Sequence, residues 1–198
     1  MRRRGYASGE ARRERILALA LQEFAEHGYR GASLARIAER AELTQAGLLH
    51  HFKSKELLLV AVLEYRDEVD ARRFDLEKAG GVAALRALAD VVDYNSRVPG
   101  LVQLFSVISG EAVTADHPGH AWARARYRRL RQALADALRR AADSGEFRAD
   151  LDAEAHADRV IAMMDGLQTQ WLIDPEQVDM ATLFRGYVDD LIESLKPA

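Results

Sequence analysis

Apolar residues recur at helical spacing along almost the whole chain, and no stretch alternates with the period of a β-strand. The four prolines fall where helices would break in any case. The pattern therefore predicts an all-α fold after a mobile basic arm, MRRRGYASG, at the start of the chain. Nine helices are expected, at about residues 10–27, 34–41, 45–51, 55–78, 82–96, 99–113, 119–143, 152–173 and 177–195.

The composition is that of a packed chain, with 48% hydrophobic and 30% charged residues among 198. The absence of cysteine excludes disulfides and Cys-based zinc sites, and it suits the cytosol. No apolar run approaches the ~20 residues of a membrane span, and no signal-peptide core follows the basic start. We therefore expect a cytoplasmic protein.

The charge is divided unevenly along the chain. Residues 1–60 hold 11 Lys and Arg against 7 Asp and Glu, a net charge of +4. The remaining residues carry a net charge of −7, and the two parts sum to the overall −3. A polyanionic partner for the first third would explain this division, and so would chance clustering.

Two short helices are predicted at about residues 34–41 and 45–51, joined by only a few residues. The second of them lies within the segment LTQAGLLHHFKSK at residues 43–55. This is the helix-turn-helix pattern, in which the second helix enters the DNA major groove. Leu48 and Phe52, four positions apart, are expected to face the core. The other side and flanks of the helix then carry Thr44, Gln45, Ala46, Gly47, Leu49, His50 and His51.

Those side chains suit contact with nucleic acid. Ala46 and Gly47 let the backbone come close to base edges, and Gln45 can make a bidentate contact with adenine. His50, with two lysines beyond it, suits phosphate oxygens. The backbone amides that open the second and fourth helices, after Ser33 and Ser54, add anion sites. Phosphate-binding cations are expected at His50, Lys53 and Lys55.

A metal or catalytic pair at His50 and His51 is the competing interpretation. Adjacent helical residues point about 100° apart, and no nearby carboxylate completes a coordination shell. His117 and His120 in DHPGHAW have better spacing, but they lie in a predicted turn before a helix. No Ser-His-Asp set, phosphate loop or paired-carboxylate signature stands out. We expect no cofactor, no metal and no enzymatic activity.

Residues 10 to about 66 resemble the DNA-binding domain of the TetR/AcrR family of bacterial repressors. The resemblance is carried by FAEHGY at the end of the first helix, IAER and the following Ala in the second, and HHFKSKELL after the third. The segment DGLQTQWLIDP resembles the penultimate helix of many such regulators. The resemblance implies a helix-turn-helix domain at 10–66 and an effector-binding and dimerisation domain at 67–198, joined by a continuous helix that passes a signal between them.

The resemblance also assigns roles to single positions. It implies that Ser33 contacts a phosphate at the start of the second helix, that Thr44 and Gln45 open the recognition helix, and that His50 and Lys55 contact the backbone. Arg36 completes the set of expected DNA contacts. The family often has Tyr at the position of Leu49 and Thr or Ser at that of Gly47. Because both departures remove hydroxyl groups, the operator sequence cannot be transferred from relatives.

The last two predicted helices carry more apolar residues than one core-facing stripe needs. The resemblance implies that they pair with a second copy in a four-helix bundle, so that two recognition helices reach a near-palindromic site. A thick core in a monomer is the alternative. The expected dimer residues are Val160, Met164, Leu167, Phe184, Tyr187, Val188 and Leu191.

Aromatic, Met and polar residues between the fourth and eighth helices suit an apolar pocket, although each is also a reasonable core residue. The resemblance implies a small-molecule effector whose binding shifts the fourth helix and lowers DNA affinity. The expected pocket residues are Tyr94, Phe105, Ile108, Trp122, Tyr127, Met163, Gln168 and Trp171.

Arg124, Arg128 and Arg131 share one face of the seventh helix at i, i+4 and i+7. Such a row is typical of a solvated face, and it also suits an anionic ligand.

The combined interpretation is a homodimeric, ligand-responsive transcriptional regulator, most simply a repressor. A small-molecule or metal-responsive protein without an operator, and a regulator that ignores ligands, are the alternatives.

Overall fold

The computed structural model describes residues 2–74 and 80–197, with side chains described at 9–68 and 80–197. The described residues form helices without strands, which confirms the predicted all-α fold. In chain order these are α1 (Arg2–Gly31), α2 (Leu34–Arg40), α3 (Gln45–His51), α4 (Lys55–Phe74), α5 (Gly81–Ser96), α6 (Pro99–Glu111), α7 (His120–Asp143), α8 (Ala153–Ile173) and α9 (Met180–Leu195).

The first helix differs from the prediction at both ends. It begins at Arg2, where the sequence suggested a mobile arm up to residue 9. Arg and Ala are strong helix formers, and the two glycines of this segment cost only about 1 kcal/mol each, so the helical pattern continues back towards the terminus. At the other end α1 continues to Gly31 across a kink at Gly28, where φ is 64° and ψ is −179°. The predicted end of the fourth helix near Lys78 lies outside the described residues.

The last helix begins three residues later than predicted. Residues 175–177 form a turn, and the carboxylate of Asp179 accepts a hydrogen bond from the backbone N–H of Thr182 at 3.0 Å. This N-cap also lowers the pKa of Asp179, through the hydroxyl and the backbone N–H of Thr182. Satisfying the free amides of the first turn fixes the start of α9 at Met180.

The chain packs as two compact units. The first comprises Met1–Val69 and Gln103–Ala123, and the second comprises Asp70–Val102 and Arg124–Ala198. The division falls inside α4, α6 and α7. The boundary of the functional domains at residues 66 and 67 remains a prediction.

In the first unit α2 packs against α1 and α3. Its core contains fully buried side chains from α1, α2, α3, α4 and α6, so the short α2 and α3 are held by tertiary packing rather than by helix propensity. These core residues include Ile16, Leu17, Phe24, Ile37, Leu48, Leu58 and Leu63.

In the second unit α9 packs against α5 and α8. Its core is continuous from Leu85 of α5 to Leu195 of α9 and includes Leu138 and Phe147. Phe147 lies in the loop between α7 and α8 and is buried, and the neighbouring N–H of Arg148 donates to the carbonyl of Leu195 at 2.8 Å.

No helix in the described ranges is both long enough and apolar enough to cross a membrane.

Candidate nucleic-acid interface

The two short helices of the first unit begin at side-chain caps. The hydroxyl of Thr44 accepts a hydrogen bond from the N–H of Gly47 at 3.0 Å, and that of Ser33 accepts one from the N–H of Arg36 at 3.4 Å. Ser54 caps α4 in the same way, since its hydroxyl accepts from the N–H of Leu57 at 3.2 Å. Each of the three caps fixes the start of a helix to one residue.

The burial of α3 divides the helix into two faces. Leu48 is fully buried and Phe52, just after the helix, is 6% exposed, as predicted. Gly47 and Leu49 are half-buried at the margin. The helix therefore presents one polar, small-residue face to solvent, formed by Thr44, Gln45, Ala46, His50 and His51.

The turn before α3 contains a strained residue that the sequence did not suggest. Glu42 has a φ of 59°, in the left-handed region that favours glycine. Its carboxylate accepts a hydrogen bond from the guanidinium of Arg15 at 2.6 Å, and the next N–H, that of Leu43, donates to the carbonyl of Ala38 at 2.9 Å. The hydrogen bond from Leu43 to Ala38 ties the short connection before α3 to α2.

The guanidinium of Arg36, which is expected to contact DNA, is half exposed and is directed at a buried carboxylate. Its Nε donates to Glu23, which is 2% exposed, at 2.9 Å, and its Nη2 donates to the carbonyl of Gly31 at 3.2 Å. Glu23 also accepts from the N–H of Ser33 at 2.8 Å. Burial raises the pKa of Glu23, but the hydrogen bonds from Arg36 and Ser33 outweigh it, so the pKa lies below its ordinary value.

This arrangement makes Arg36 and Glu23 a structural pair that ties α2 to α1. The same carboxylate of Glu23 also holds the backbone N–H of Ser33, just before α2. Glu23 could not be found from sequence, because a glutamate at a helical position is most often solvated.

The two lysines after α3 differ in their surroundings. Lys53 is exposed, with its Nζ 3.5 Å from the carbonyl oxygen of His50. The Nζ of Lys55 donates to the carbonyl of Arg30 at 3.1 Å and lies 5.1 Å from the centre of the Tyr29 ring. Lys53 thus extends the exposed face of α3, whereas Lys55 also holds the end of α1 against the start of α4.

Tyr29 is bonded at both its ring and its backbone. The hydroxyl donates to Glu56 at 2.6 Å, and the backbone N–H donates to Glu111 at 2.8 Å. Burial and the hydrogen bond from the hydroxyl to Glu56 raise the pKa of Tyr29 to about 12. The hydrogen bonds from Tyr29 and Ser54 lower the pKa of Glu56 to about 2. The kink of α1, the start of α4 and the end of α6 therefore meet at one residue.

The histidines do not converge on an ion site. The rings of His50 and His51 are edge to face with centroids 6.1 Å apart. His117 Nδ1 accepts from the N–H of Gly119 at 3.1 Å, and His120 Nδ1 lies 2.8 Å from the carbonyl oxygen of Ala112. Within the ranges that the structure describes, no three His, Asp or Glu side chains are grouped to hold a metal.

Comparison with known proteins matches both parts of the chain. A family model for bacterial regulatory proteins of the tetR family matches residues 16–62, and one for the C-terminal part of BetI-type transcriptional repressors matches residues 83–194. The HTH-type transcriptional repressor KstR2 of Mycobacterium tuberculosis is 30% identical over 159 residues, covering 73% of each chain. The chain belongs to the TetR family.

Two further similarities extend over nearly the whole of this TetR-family chain. The HTH-type transcriptional regulator TtgR of Pseudomonas putida is 27% identical over 217 residues, covering 99% of this chain and 97% of the relative. The crystal structure of a TetR transcriptional regulator from Chloroflexus aurantiacus superposes with a TM-score of 0.83 at 25% identity, covering 96% of this chain and 98% of that one. The protein is thus a DNA-binding transcriptional regulator rather than an enzyme.

The effector residues expected for this TetR-family chain are distributed over both units. Phe105, Ile108 and Trp122 belong to the first, where the rings of Phe105 and Trp122 stack at 5.8 Å and the indole N–H donates to Asp67 at 3.1 Å. The second unit contains the remaining five, Tyr94, Tyr127, Met163, Gln168 and Trp171.

Within the second unit these five have different surroundings. The hydroxyl of Tyr127 donates to Asp165 at 2.7 Å, and burial raises the pKa of that carboxyl despite the hydrogen bond. Gln168 is 9% exposed, whereas Met163 is 38% exposed. Met163 therefore faces solvent in the single chain.

Six of the seven expected dimer residues are buried inside the second unit of the single chain, and Tyr187 is half-buried. A side chain with almost no accessible surface in the protomer adds almost none to an interface. The six buried residues are Val160, Met164, Leu167, Phe184, Val188 and Leu191.

Proposed function

We propose that this TetR-family regulator is a repressor that binds a near-palindromic operator as a homodimer and is released by a small-molecule effector. The observation that carries the proposal is the exposed face of α3, where small and hydrogen-bonding side chains surround a helix anchored by Leu48. The names of its relatives, which include a transcriptional repressor, support repression. A regulator of chromosomal DNA works in the cytoplasm, and we propose that location.

The recognition chemistry is divided between bases and phosphates. Gln45 and Ala46 read base edges, and the absence of a side chain at Gly47 allows close approach of the helix. A Cβ added at Gly47 would lie 3.3 Å from the hydroxyl oxygen of Thr44, so this position is already crowded on its inner side. His50 and Lys53 contact the phosphate backbone.

We place the dimer contact on the faces of α8 and α9 that the single chain leaves exposed. Ile173 is 78% exposed, Leu183 is 51% exposed and Met163 is 38% exposed. Gly166 and Gly186 each follow one of these residues by three positions, Met163 and Leu183 respectively. A Cβ added at either glycine meets no atom within 4 Å. Apolar residues separated by small ones let two helices approach closely.

This contact is tested with a bulky residue at Gly186. Gly186→Arg has space in the single chain, so the helix should remain folded while the second copy is excluded. The control is Gly100→Arg, on an exposed glycine of α6 that also has no atom within 4 Å of an added Cβ. Light scattering should give a dimer for the unmodified chain and the control and a monomer for Gly186→Arg. A dimer in all three would contradict the proposed faces.

We place the effector in an apolar cavity of the second unit between α5, α7 and α8. It measures about 20 Å³, enough for one water molecule, and none of the eight residues expected from the sequence lines it. An effector must therefore enlarge the cavity by moving the helices that line it. Release from DNA requires such a coupling between effector binding and helix movement. The lining residues are Ala84, Leu88, Leu130, Ala133, Leu134, Ala137, Ile161 and Met164.

The test is release of the protein from its selected operator by a panel of small apolar molecules. Ala84→Leu fills the cavity and should abolish the response of any molecule that releases the unmodified chain. Ala83→Leu, on the exposed side of α5, should leave that response unchanged. If no molecule acts on the unmodified chain, the ligand-independent regulator is supported instead. An equal response of the two variants would place the effector elsewhere.

A further inference from the structure

A groove on the surface of the second unit lies between α7 and α8. Its volume is about 590 Å³, within the range of about 300–1,000 Å³ of small-molecule sites. Its walls are charged rather than apolar. They are formed by Arg124, Arg128, Arg131, Gln132, Ala135 and Arg139 of α7 and by Glu154 and Asp158 of α8.

The groove lies on the opposite side of α7 from the apolar cavity. At about 100° per residue, Leu130, Leu134 and Ala137 lie on one side of the helix, and Arg128 and Arg131 lie on the other. A ligand in the groove would therefore not occupy the proposed effector cavity.

The charge of α7 contrasts with that of the other residues between 61 and 198. The helix holds seven arginines against two aspartates, a net of +5, although residues 61–198 together carry −7. A strongly positive surface on an acidic body attracts anions to that one location.

One end of the groove is lined by ion pairs. The Nε of Arg131 donates to Asp158 at 2.5 Å, and Arg139 bonds both Glu154 and Asp136, the latter at 2.6 Å. These carboxylates neutralise the two arginines and hold α8 against α7.

The other end has no such neutralisation. Arg124 and Arg128 make no ion pair or hydrogen bond with any side chain that the structure describes, and both are exposed. Like charges four positions apart on a helix repel one another. The pair is thus unfavourable in the free chain and would be stabilised by an anion placed between the two guanidinium groups.

We propose that this groove binds a small organic anion that carries at least two negatively charged groups, phosphate or carboxylate. Two guanidinium groups one helical turn apart present paired N–H donors that match the oxygens of such groups. The concave shape and the size fit a small molecule rather than a duplex. The proposal is independent of the operator and of the effector cavity.

The experiment is calorimetric titration of the full chain with pyrophosphate and with citrate, at fixed ionic strength in chloride. Arg124→Gln with Arg128→Gln removes the unneutralised pair. Arg86→Gln with Arg148→Gln is the control, because it removes the same charge at two exposed arginines of the second unit outside the groove. Thermal melts without anion confirm that both double variants fold.

We expect saturable binding of at least one probe, weakened about tenfold or more in the groove variant and unchanged in the control. If only pyrophosphate binds, the ligand is phosphorylated, and if only citrate binds, it is a polycarboxylate. If both bind, the site selects for negative charge rather than for one kind of group. The proposal is overturned if neither probe saturates, or if the control variant loses as much affinity as the groove variant.

Discussion

The carboxylate of Glu111, at the end of α6, accepts a hydrogen bond from the backbone N–H of Tyr29 at 2.8 Å, across 82 positions of sequence. The same carboxylate lies 3.5 Å from Nε2 of His117. It reaches the N–H because α1 turns at Gly28. Glu111 of α6 therefore positions the residues of α1 that follow the kink. These include Tyr29, which in turn contacts α4.

Loss of the Glu111 carboxylate should destabilise the chain. Glu111→Ala leaves the Tyr29 N–H without its charged acceptor, and we expect a loss of about 1–2 kcal/mol in the free energy of unfolding. Glu111→Gln keeps an acceptor and should lose less. Urea unfolding measures both, with Glu64→Ala on the exposed side of α4 as the control. A Glu111→Ala chain as stable as that control would contradict this role.

The kink and the carboxylate should be coupled. A Cβ added at Gly28 would lie 2.6 Å from Oε1 of Glu111, at a φ of 64° that already disfavours a side chain. Gly28→Ala should therefore be less harmful in a Glu111→Ala background than alone, because the clash is removed while the strain remains. A double-mutant cycle measures the coupling. Strict additivity would show that the two residues do not contact each other.

The hydrogen bond between Tyr29 and Glu56 should make stability depend on pH in a defined window. The pKa of Glu56 is lowered to about 2, so its contribution is present above its ordinary value of 4.5 and is lost as pH falls towards 2. The pKa of Tyr29 is raised to about 12, so its contribution is present below 10 and is lost as pH rises through 12. The stabilisation should be constant from about pH 5 to about pH 9.

Tyr29→Phe tests this window by thermal unfolding. The difference in Tm between the unmodified chain and Tyr29→Phe should be constant near neutrality and shrink as the pH falls below 4.5. Tyr65→Phe, in the same unit, should give a difference that does not change over this range. A Tyr29→Phe difference that grows in acid has the wrong sign for the pair.

The strained turn before α3 predicts a stabilising substitution. Glu42→Gly relieves a left-handed conformation and should raise the free energy of unfolding by about 1 kcal/mol. The lost ion pair with Arg15 is exposed on both sides and contributes little. Glu39→Gly in α2 should instead cost about 1 kcal/mol. Chemical unfolding of the two variants should give opposite signs, and destabilisation by both would refute the strain.

Arg36 should affect stability more than DNA binding. Arg36→Ala leaves buried Glu23 with the Ser33 N–H as its hydrogen-bond donor, so the free energy of unfolding should fall. The loss should be smaller than for a fully buried pair because the guanidinium is half exposed. At a temperature where the variant is folded, operator affinity should change by less than about threefold. Lys53→Ala should show the opposite, with weaker binding and unchanged stability. Equal loss of affinity in both variants would return Arg36 to the DNA contacts.

The local features of α2, α3 and the start of α4 could be predicted from sequence because they depend on neighbouring residues. Ser33, Thr44 and Ser54 are cap residues by chemistry, and each accepts the N–H three positions later. The i, i+4 spacing of Leu48 and Phe52 gave the buried side of α3 correctly.

The long-range contacts could not be predicted. Glu23 and Glu111 are ordinary helical glutamates in the sequence, and only the fold brings them to Arg36 and Tyr29. The residues expected at the dimer contact are apolar, but an apolar stripe does not say which neighbour covers it. Phe184 is fully buried in the single chain, whereas Leu183, its neighbour in sequence, is half exposed. The part of α9 that the single chain leaves exposed could therefore be located only in the structure.

The most direct test of the account is selection from a random duplex library by the full chain at near-physiological salt, followed by sequencing of the retained DNA. We predict a near-palindrome whose half-sites are related by the two-fold axis of the dimer, with retention lost when Gln45→Ala is combined with His50→Ala. Glu39→Ala, on the exposed side of α2, should retain the same sequences. Retention of no common sequence, or retention unaffected by the Gln45 and His50 changes, would contradict the assignment of α3 as the recognition helix.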